Sequence, residues 1–143
     1  MNAYFAAHPF SPVDAVVRAT IVGLTLATAY IHATLGGLLF TMNAIGYAFL
    51  ATAMVAPLEI ASRFRWIVRI GLAGYAASTI VGWAIQGPFY TTAYLAKAIE
   101  LALIVLVAID FVRFDGNPIV FIPRELRTGL ARLLGLSPPQ PGG

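Results

Sequence analysis

Lys97 and Glu100 stand three residues apart in an otherwise apolar stretch, a spacing that puts an ammonium and a carboxylate on one face of a helix. Ionisable groups in such surroundings are costly in hydrocarbon and turn toward protein or water. His32 and Asn43 occupy two other apolar stretches. If the helices meet, His32, Asn43, Lys97 and Glu100 form a small polar intramembrane site, with Tyr30, Tyr47, Gln86, Tyr90 and Tyr94 adding polar groups at comparable depths. Two readings fit these residues. In the functional one, Glu100 carries a proton, and His32 relays it or hydrogen-bonds a quinone-like or cationic ligand. In the structural one, Lys97 and Glu100 neutralise each other, Lys97 reaches toward headgroups, and His32 and Asn43 tie helices together. Asp110 with Arg113 or Arg69 makes a second pair, read as a structural clasp.

Other chemistries find no residues to carry them. The chain has no cysteine, which removes disulfides, thiolate metal sites, CxxC redox chemistry and cysteine nucleophiles. A bis-histidine haem needs two histidines at similar depth, but His8 precedes the first apolar stretch, so His32 would need Met42 or Met54 as a second ligand. Neither an HExxH helix, a paired-carboxylate metal set, a phosphate-binding loop nor a Gly-x-Ser-x-Gly elbow occurs. The expectation is a non-enzyme with no metal and no cofactor.

The elements that must position these residues are four apolar stretches, 14–35, 37–56, 64–85 and 92–112. Each has about the 20 residues a helix needs to cross a ~30 Å hydrocarbon core. Composition agrees: 59% of the 143 residues are hydrophobic and 10% charged, too few charges for the outer faces of a soluble bundle. The nine basic residues divide unevenly across this map. With a cytoplasmic N-terminus, Arg18, Arg63, Arg65, Arg69, Arg113, Arg124, Arg127 and Arg132 fall at the inner face and only Lys97 at the outer. Both termini are therefore expected in the cytoplasm of a multi-pass protein of the cell (plasma or bacterial inner) membrane. The net charge of +3 is carried by helix ends and a tail, which favours an anionic inner leaflet over nucleic acid as its partner.

The links are short, Gly36-Gly37, Pro57 to Ser62 and Gln86 to Thr91, so neighbouring helices should run antiparallel. The fold class expected is all-α, an integral membrane four-helix up-down-up-down bundle over 14–113 with a short cytoplasmic amphipathic C-terminal helix. Small residues recur every fourth position at Ala15, Ala19, Gly23 and Ala27, at Ala44, Ala48, Thr52 and Ala56, and at Gly74, Ser78 and Gly82. Lipid is as apolar as leucine, so such strips are the expected helix-packing faces. On the first helix Arg18, Thr25, Thr28 and His32 lie roughly opposite that strip. A helix with protein on both faces argues for self-association or a larger membrane complex. Trp66 and Trp83, near opposite ends of the third stretch, read as interface anchors.

Residues 1–13 read as an irregular lead-in, without the basic n-region of a signal peptide and with Ser11 or Asp14 to cap the first helix. Residues 114–136 form a cytoplasmic interfacial segment. Within it, Pro123 to Leu136 places Leu126, Leu130, Leu133 and Leu134 opposite Arg124, Arg127 and Arg132, as for a helix on an anionic leaflet or one docking a partner. Residues 137–143, rich in proline and glycine, are expected to be disordered.

The run Tyr30-Ile31-His32-Ala33-Thr34-Leu35-Gly36-Gly37-Leu38 through Asn43-Ala44-Ile45-Gly46-Tyr47 resembles small uncharacterised four-span bacterial integral membrane proteins. So does Ala96-Lys97-Ala98-Ile99-Glu100 with Ile109-Asp110. The resemblance covers the membrane core and implies a recurring polar pattern, with no activity attached. Three functions remain on these residues. The first is a non-catalytic accessory or scaffold subunit of a larger membrane assembly. The second is a small proton-coupled transporter or channel acting as a homo-oligomer through Glu100, Lys97 and His32. The third is a quinone- or haem-associated redox subunit resting on His32.

Overall fold

Ser11 opens the first helix, α1 (Pro12–Leu35), with a capping box. Its hydroxyl accepts from the Asp14 amide at 3.2 Å, and the Asp14 carboxylate accepts from the Ser11 backbone N–H at 2.9 Å. Pro12, whose missing N–H costs nothing in a first turn, completes the start. Gly36 and Gly37 end α1 at φ 72° and 85°, a region only glycine enters freely, and this two-residue turn leads into α2 (Leu38–Val55). The third helix, α3 (Arg65–Gln86), closes on Gly87 at φ 71°, and α4 (Thr91–Phe114) follows. This computed structural model describes residues 11–56 and 64–136. The lead-in over 1–10, the link over 57–63 and the tail over 137–143 lie outside the described residues.

The protein is all-α, with five helices and no strand among the described residues. Each of α1 to α4 begins and ends within two residues of the stretch that hydropathy marks. Three of them, α1, α2 and α3, are long and apolar enough to cross a membrane, which suggests a membrane protein. The fourth, α4, is 24 residues long and carries Lys97, Glu100, Asp110 and Arg113.

Residues up to Asp110 form one compact unit. Its core draws on all four helices: Ile21 and Ala29, Tyr47 and Met54, Leu72 and Ala76, and Leu103 and Val107. Side-chain pairs fix the sense of the helices. Thr28 on α1 meets Glu100 on α4, and Arg18, ten residues earlier on α1, meets Asp110, ten residues later on α4. These two helices therefore run antiparallel. Arg69 on α3 also meets Asp110, while Thr79 reaches the Glu100 level through Tyr47, so α3 runs against α4 as well.

The small-residue strips do not form this core. Ala15, Ala19 and Gly23, Ala48 and Thr52, and Gly74, Ser78 and Gly82 are exposed on the outside of the unit. The buried faces are Ile21, Thr25, Thr28 and His32 on α1, Tyr47, Ala51 and Met54 on α2, and Arg69, Leu72 and Ala76 on α3. The expectation that the strips pack the four helices together is thus corrected for this unit. The physical reason is that polar groups must find partners, which a face of alanine and glycine cannot supply.

The second unit, residues 111–143, holds α5 (Pro118–Leu133). Asn117 caps it, accepting from the Ile119 amide at 3.0 Å, with Pro118 in the first turn. The helix thus starts at Pro118, a turn and a half before the Pro123 that the sequence suggested, and Pro123 lies inside it. No residue of α5 is buried, and Leu126, Leu130 and Leu133 stand exposed at helical spacing.

Candidate functional site

Glu100 is fully buried, and its carboxylate gathers donors from three helices. Tyr47 of α2 donates to Oε1 at 3.0 Å and Thr28 of α1 to the same oxygen at 3.3 Å. Lys97, one turn earlier on α4, donates to Oε2 at 2.6 Å. His32 of α1 brings Nε2 to 3.7 Å from Oε1. Three groups donate to this carboxylate, one of them an ammonium, and His32 stands beside it. The sequence placed His32, Lys97 and Glu100 together by depth, and the structure brings all three into one cluster.

The imidazole is oriented by its own helix. Nδ1 lies 2.8 Å from the Thr28 carbonyl oxygen, which can only accept, so the proton of the neutral ring sits on Nδ1. Nε2 then presents a lone pair toward Glu100. The Phe40 and Tyr47 rings hold the imidazole at centroid distances of 6.2 and 5.6 Å.

Asn43 does not touch Glu100. Its Oδ1 accepts from Tyr75 at 3.1 Å, and the Tyr75 ring packs edge-on against Tyr47 at 4.8 Å. Tyr47 also shares a 3.1 Å hydrogen bond with Thr79. Asn43, Tyr75 and Thr79 therefore set the position of the Tyr47 hydroxyl. Of these groups Tyr47 was legible only as one hydroxyl among several. The signals for Tyr47 and Thr28 were their registers, four residues after Asn43 and four before His32.

Gly46 is what lets Tyr75 approach. A Cβ there would stand 2.7 Å from Tyr75 Cζ, so the ring would have to leave Asn43 and Tyr47. Gly46→Ala is expected to cost about 1–3 kcal/mol in thermal unfolding, the usual penalty of overpacking. A second substitution, Tyr75→Leu, should recover part of that loss. A Gly46→Ala protein melting like the parent would show that the ring has another place to go.

At the other end of the core, Arg69 Nε donates to Asp110 Oδ2 at 2.6 Å and Arg18 Nε lies 3.7 Å from Oδ1. Asp110 is fully buried and Arg69 is 2% exposed. The clasp of Asp110 with Arg69 is present, and Arg18, read from sequence as an inner-face charge, is its second partner. Arg113 follows one turn beyond Asp110 on α4. The two clusters are ten residues apart along α1, α3 and α4, or about 15 Å at 1.5 Å per residue.

A cavity of about 220 Å³ adjoins the Glu100 cluster at the end of the unit where the α1–α2 and α3–α4 turns lie. His32 and Lys97 line it, with Asn43, Phe40, Trp83 and Tyr90. Among the described residues no group of three His, Asp or Glu side chains is placed to hold a metal ion. No family model matches this chain, and neither a curated protein nor a solved structure matches it.

Proposed function

We propose that the chain is a four-span, non-catalytic membrane protein serving as an accessory or scaffold subunit of a larger membrane assembly. Its helices form an up-down-up-down bundle with both termini in the cytoplasm, following the one-sided arginines. The observation that carries this reading is the outward direction of the small-residue strips. The bundle gathers polar groups into its interior around Glu100 and Asp110, yet three helices still turn smooth faces of glycine, alanine, serine and threonine to the outside. In lipid such faces gain little from acyl chains and much from the backbone of another helix.

Two further features agree. Only 17–28% of the most apolar stretch of each candidate span is buried, so each helix keeps surface for lipid or other chains. A groove of about 570 Å³ runs beside the α1 strip, lined by Ala15, Ala19 and Gly23 with Val22, Met54 and Val55 and by Arg18 and Arg65. The exposed leucines of α5, beside Arg124, Arg127 and Arg132, suit the anionic inner leaflet.

The test is the mass and composition of the complex purified gently from its native membrane. The expected result is a particle heavier than one chain in its lipid or detergent shell. Gly23→Leu and Gly74→Leu should then release a smaller particle with unchanged helicity, since a Cβ at either site meets nothing within 4 Å. A monomeric parent protein, or leucine variants that assemble like the parent, would refute the proposal.

A further inference from the structure

The cavity beside Glu100 has an uneven chemical lining. Lys97 and His32 face it, and no acidic residue does, because Glu100 lies behind them with no exposure of its own. The remaining walls mix apolar and aromatic surface, chiefly Leu35, Leu39, Phe40, Trp83 and Tyr90, with the neutral polar side chains of Asn43, Ser78, Thr79 and Gln86. A ligand entering this space meets one ammonium and an imidazole at the floor, with apolar and neutral polar surface around them. At about 220 Å³ the space is smaller than the ~300 Å³ of drug-sized sites and equals roughly seven waters at ~30 Å³ each. That volume suits one ring with one polar group.

The proton arrangement limits what the polar group can be. Lys97 and Glu100 already cancel, so a lone anion would add uncompensated charge beside a buried carboxylate. One place accepts the compensating proton. His32 Nε2 and Glu100 Oε1 face each other at 3.7 Å, both as lone-pair bearers once Nδ1 holds the ring proton against the Thr28 carbonyl. The groups facing this gap are Thr28 from α1, Tyr47 from α2 and Lys97 from α4, while Thr79 and Tyr75 of α3 stand behind Tyr47. Tyr47 and Thr28 donate into Glu100, and neither supplies the proton that Nε2 lacks.

We propose that this cavity binds a small single-ring monocarboxylate together with one proton, the carboxylate on Lys97 and the proton between His32 and Glu100. The accounting closes without any other reactant. One anion and one proton leave water, the proton joins Nε2, and the imidazolium takes up the Glu100 charge that Lys97 had balanced. Lys97 turns to the ligand carboxylate, and the net charge of the site is unchanged. The α1 and α2 strips do not line this cavity, whereas Ser78 and Gly82 of the α3 strip do.

Calorimetric titration of the full chain in micelles with benzoate, cyclohexanecarboxylate and the neutral isostere benzamide tests this. Runs in two buffers of different ionisation heat count the protons. The expected result is one proton taken up per carboxylate, with affinity falling tenfold per pH unit over the linked range. Benzamide should bind at least tenfold more weakly and take up no proton. His32→Gln should abolish the proton uptake, and Lys97→Gln should weaken benzoate at least tenfold. Gly82→Leu serves should those variants fail to fold. Gly82 lines the cavity with open space at its Cβ, so leucine there fills the site without touching the polar cluster. No binding of either carboxylate up to about 10 mM, a concentration that detects even millimolar sites, overturns the proposal. So does binding without proton uptake, or a Gly82→Leu protein that binds like the parent.

Discussion

Asp110→Ala is expected to destabilise this protein more than any other single substitution in its core. Asp110 is fully buried, with Arg69 Nε at 2.6 Å and Arg18 Nε at 3.7 Å. Removing the carboxylate takes the 2.6 Å counter-charge from a guanidinium that is 2% exposed and leaves a second beside it with the same sign. Breaking a buried pair from one side costs about 3–5 kcal/mol, because the surviving charge has lost both water and partner. Removing both sides is another matter. Arg69→Met with Asp110→Leu replaces the pair by apolar groups of similar length, and should recover most of the loss. Arg18→Met alone should cost far less, since its side chain is 18% exposed and lies farther from Asp110. Thermal unfolding in micelles, followed by tryptophan fluorescence and helicity, gives all four values. An Asp110→Ala protein within about 1 kcal/mol of the parent, the worth of a surface pair, would mean that water reaches this carboxylate. A double variant no better than the single one would mean that the arginine holds the helices by more than its charge.

The contrast between Arg18 and Arg69 shows where sequence reading succeeds and stops. Helix positions were legible because hydropathy over a span of about 20 residues is a strong local signal. Lys97 and Glu100 were legible as a pair because i,i+3 spacing settles their neighbourhood within one helix. For Asp110 the sequence offered Arg113 or Arg69, and the structure pairs it with Arg69. Arg18 needed the rotation of α1, and on α1 the sequence offers two candidate inner faces. Small residues at 15, 19 and 23 compete with polar ones at 18, 25, 28 and 32, and membrane packing rules favour the first set. Partner demand chose the second: Thr28 and His32 reach Glu100, and Arg18 reaches Asp110. Thr25 bonds back to its own helix, at 2.7 Å to the Ile21 carbonyl. The start of α5 was missed for a local reason. The leucine and arginine pattern begins only after Pro123, while Asn117-Pro118 supplies both a cap and a proline in the first turn.

Lys97→Met is expected to cost more stability than Glu100→Gln, although each removes the same ion pair. The asymmetry comes from where each survivor can go. Lys97 lines an open cavity with its side chain 12% exposed, so after Glu100→Gln the ammonium can turn outward to water. The glutamine oxygen can still accept from Tyr47 and Thr28, which limits the loss to about 1–2 kcal/mol, the scale of one imperfect hydrogen-bond set. Glu100 has no such exit. It is fully buried behind Lys97 and His32, so without the ammonium its charge keeps only two hydroxyl donors and an imidazole that offers a lone pair. The loss there should approach the roughly 3–5 kcal/mol of a one-sided break. The double variant, Lys97→Met with Glu100→Gln, should be more stable than Lys97→Met alone, because it removes the stranded charge. Unfolding midpoints for the three proteins in one detergent decide the matter. A reversed order, with Glu100→Gln the worse, would place Lys97 in a closed site and remove the open floor on which ligand binding depends. The expected order leaves Lys97 free to exchange Glu100 for an incoming carboxylate, and makes the stability of the pair and the chemistry of the cavity two readings of one ammonium.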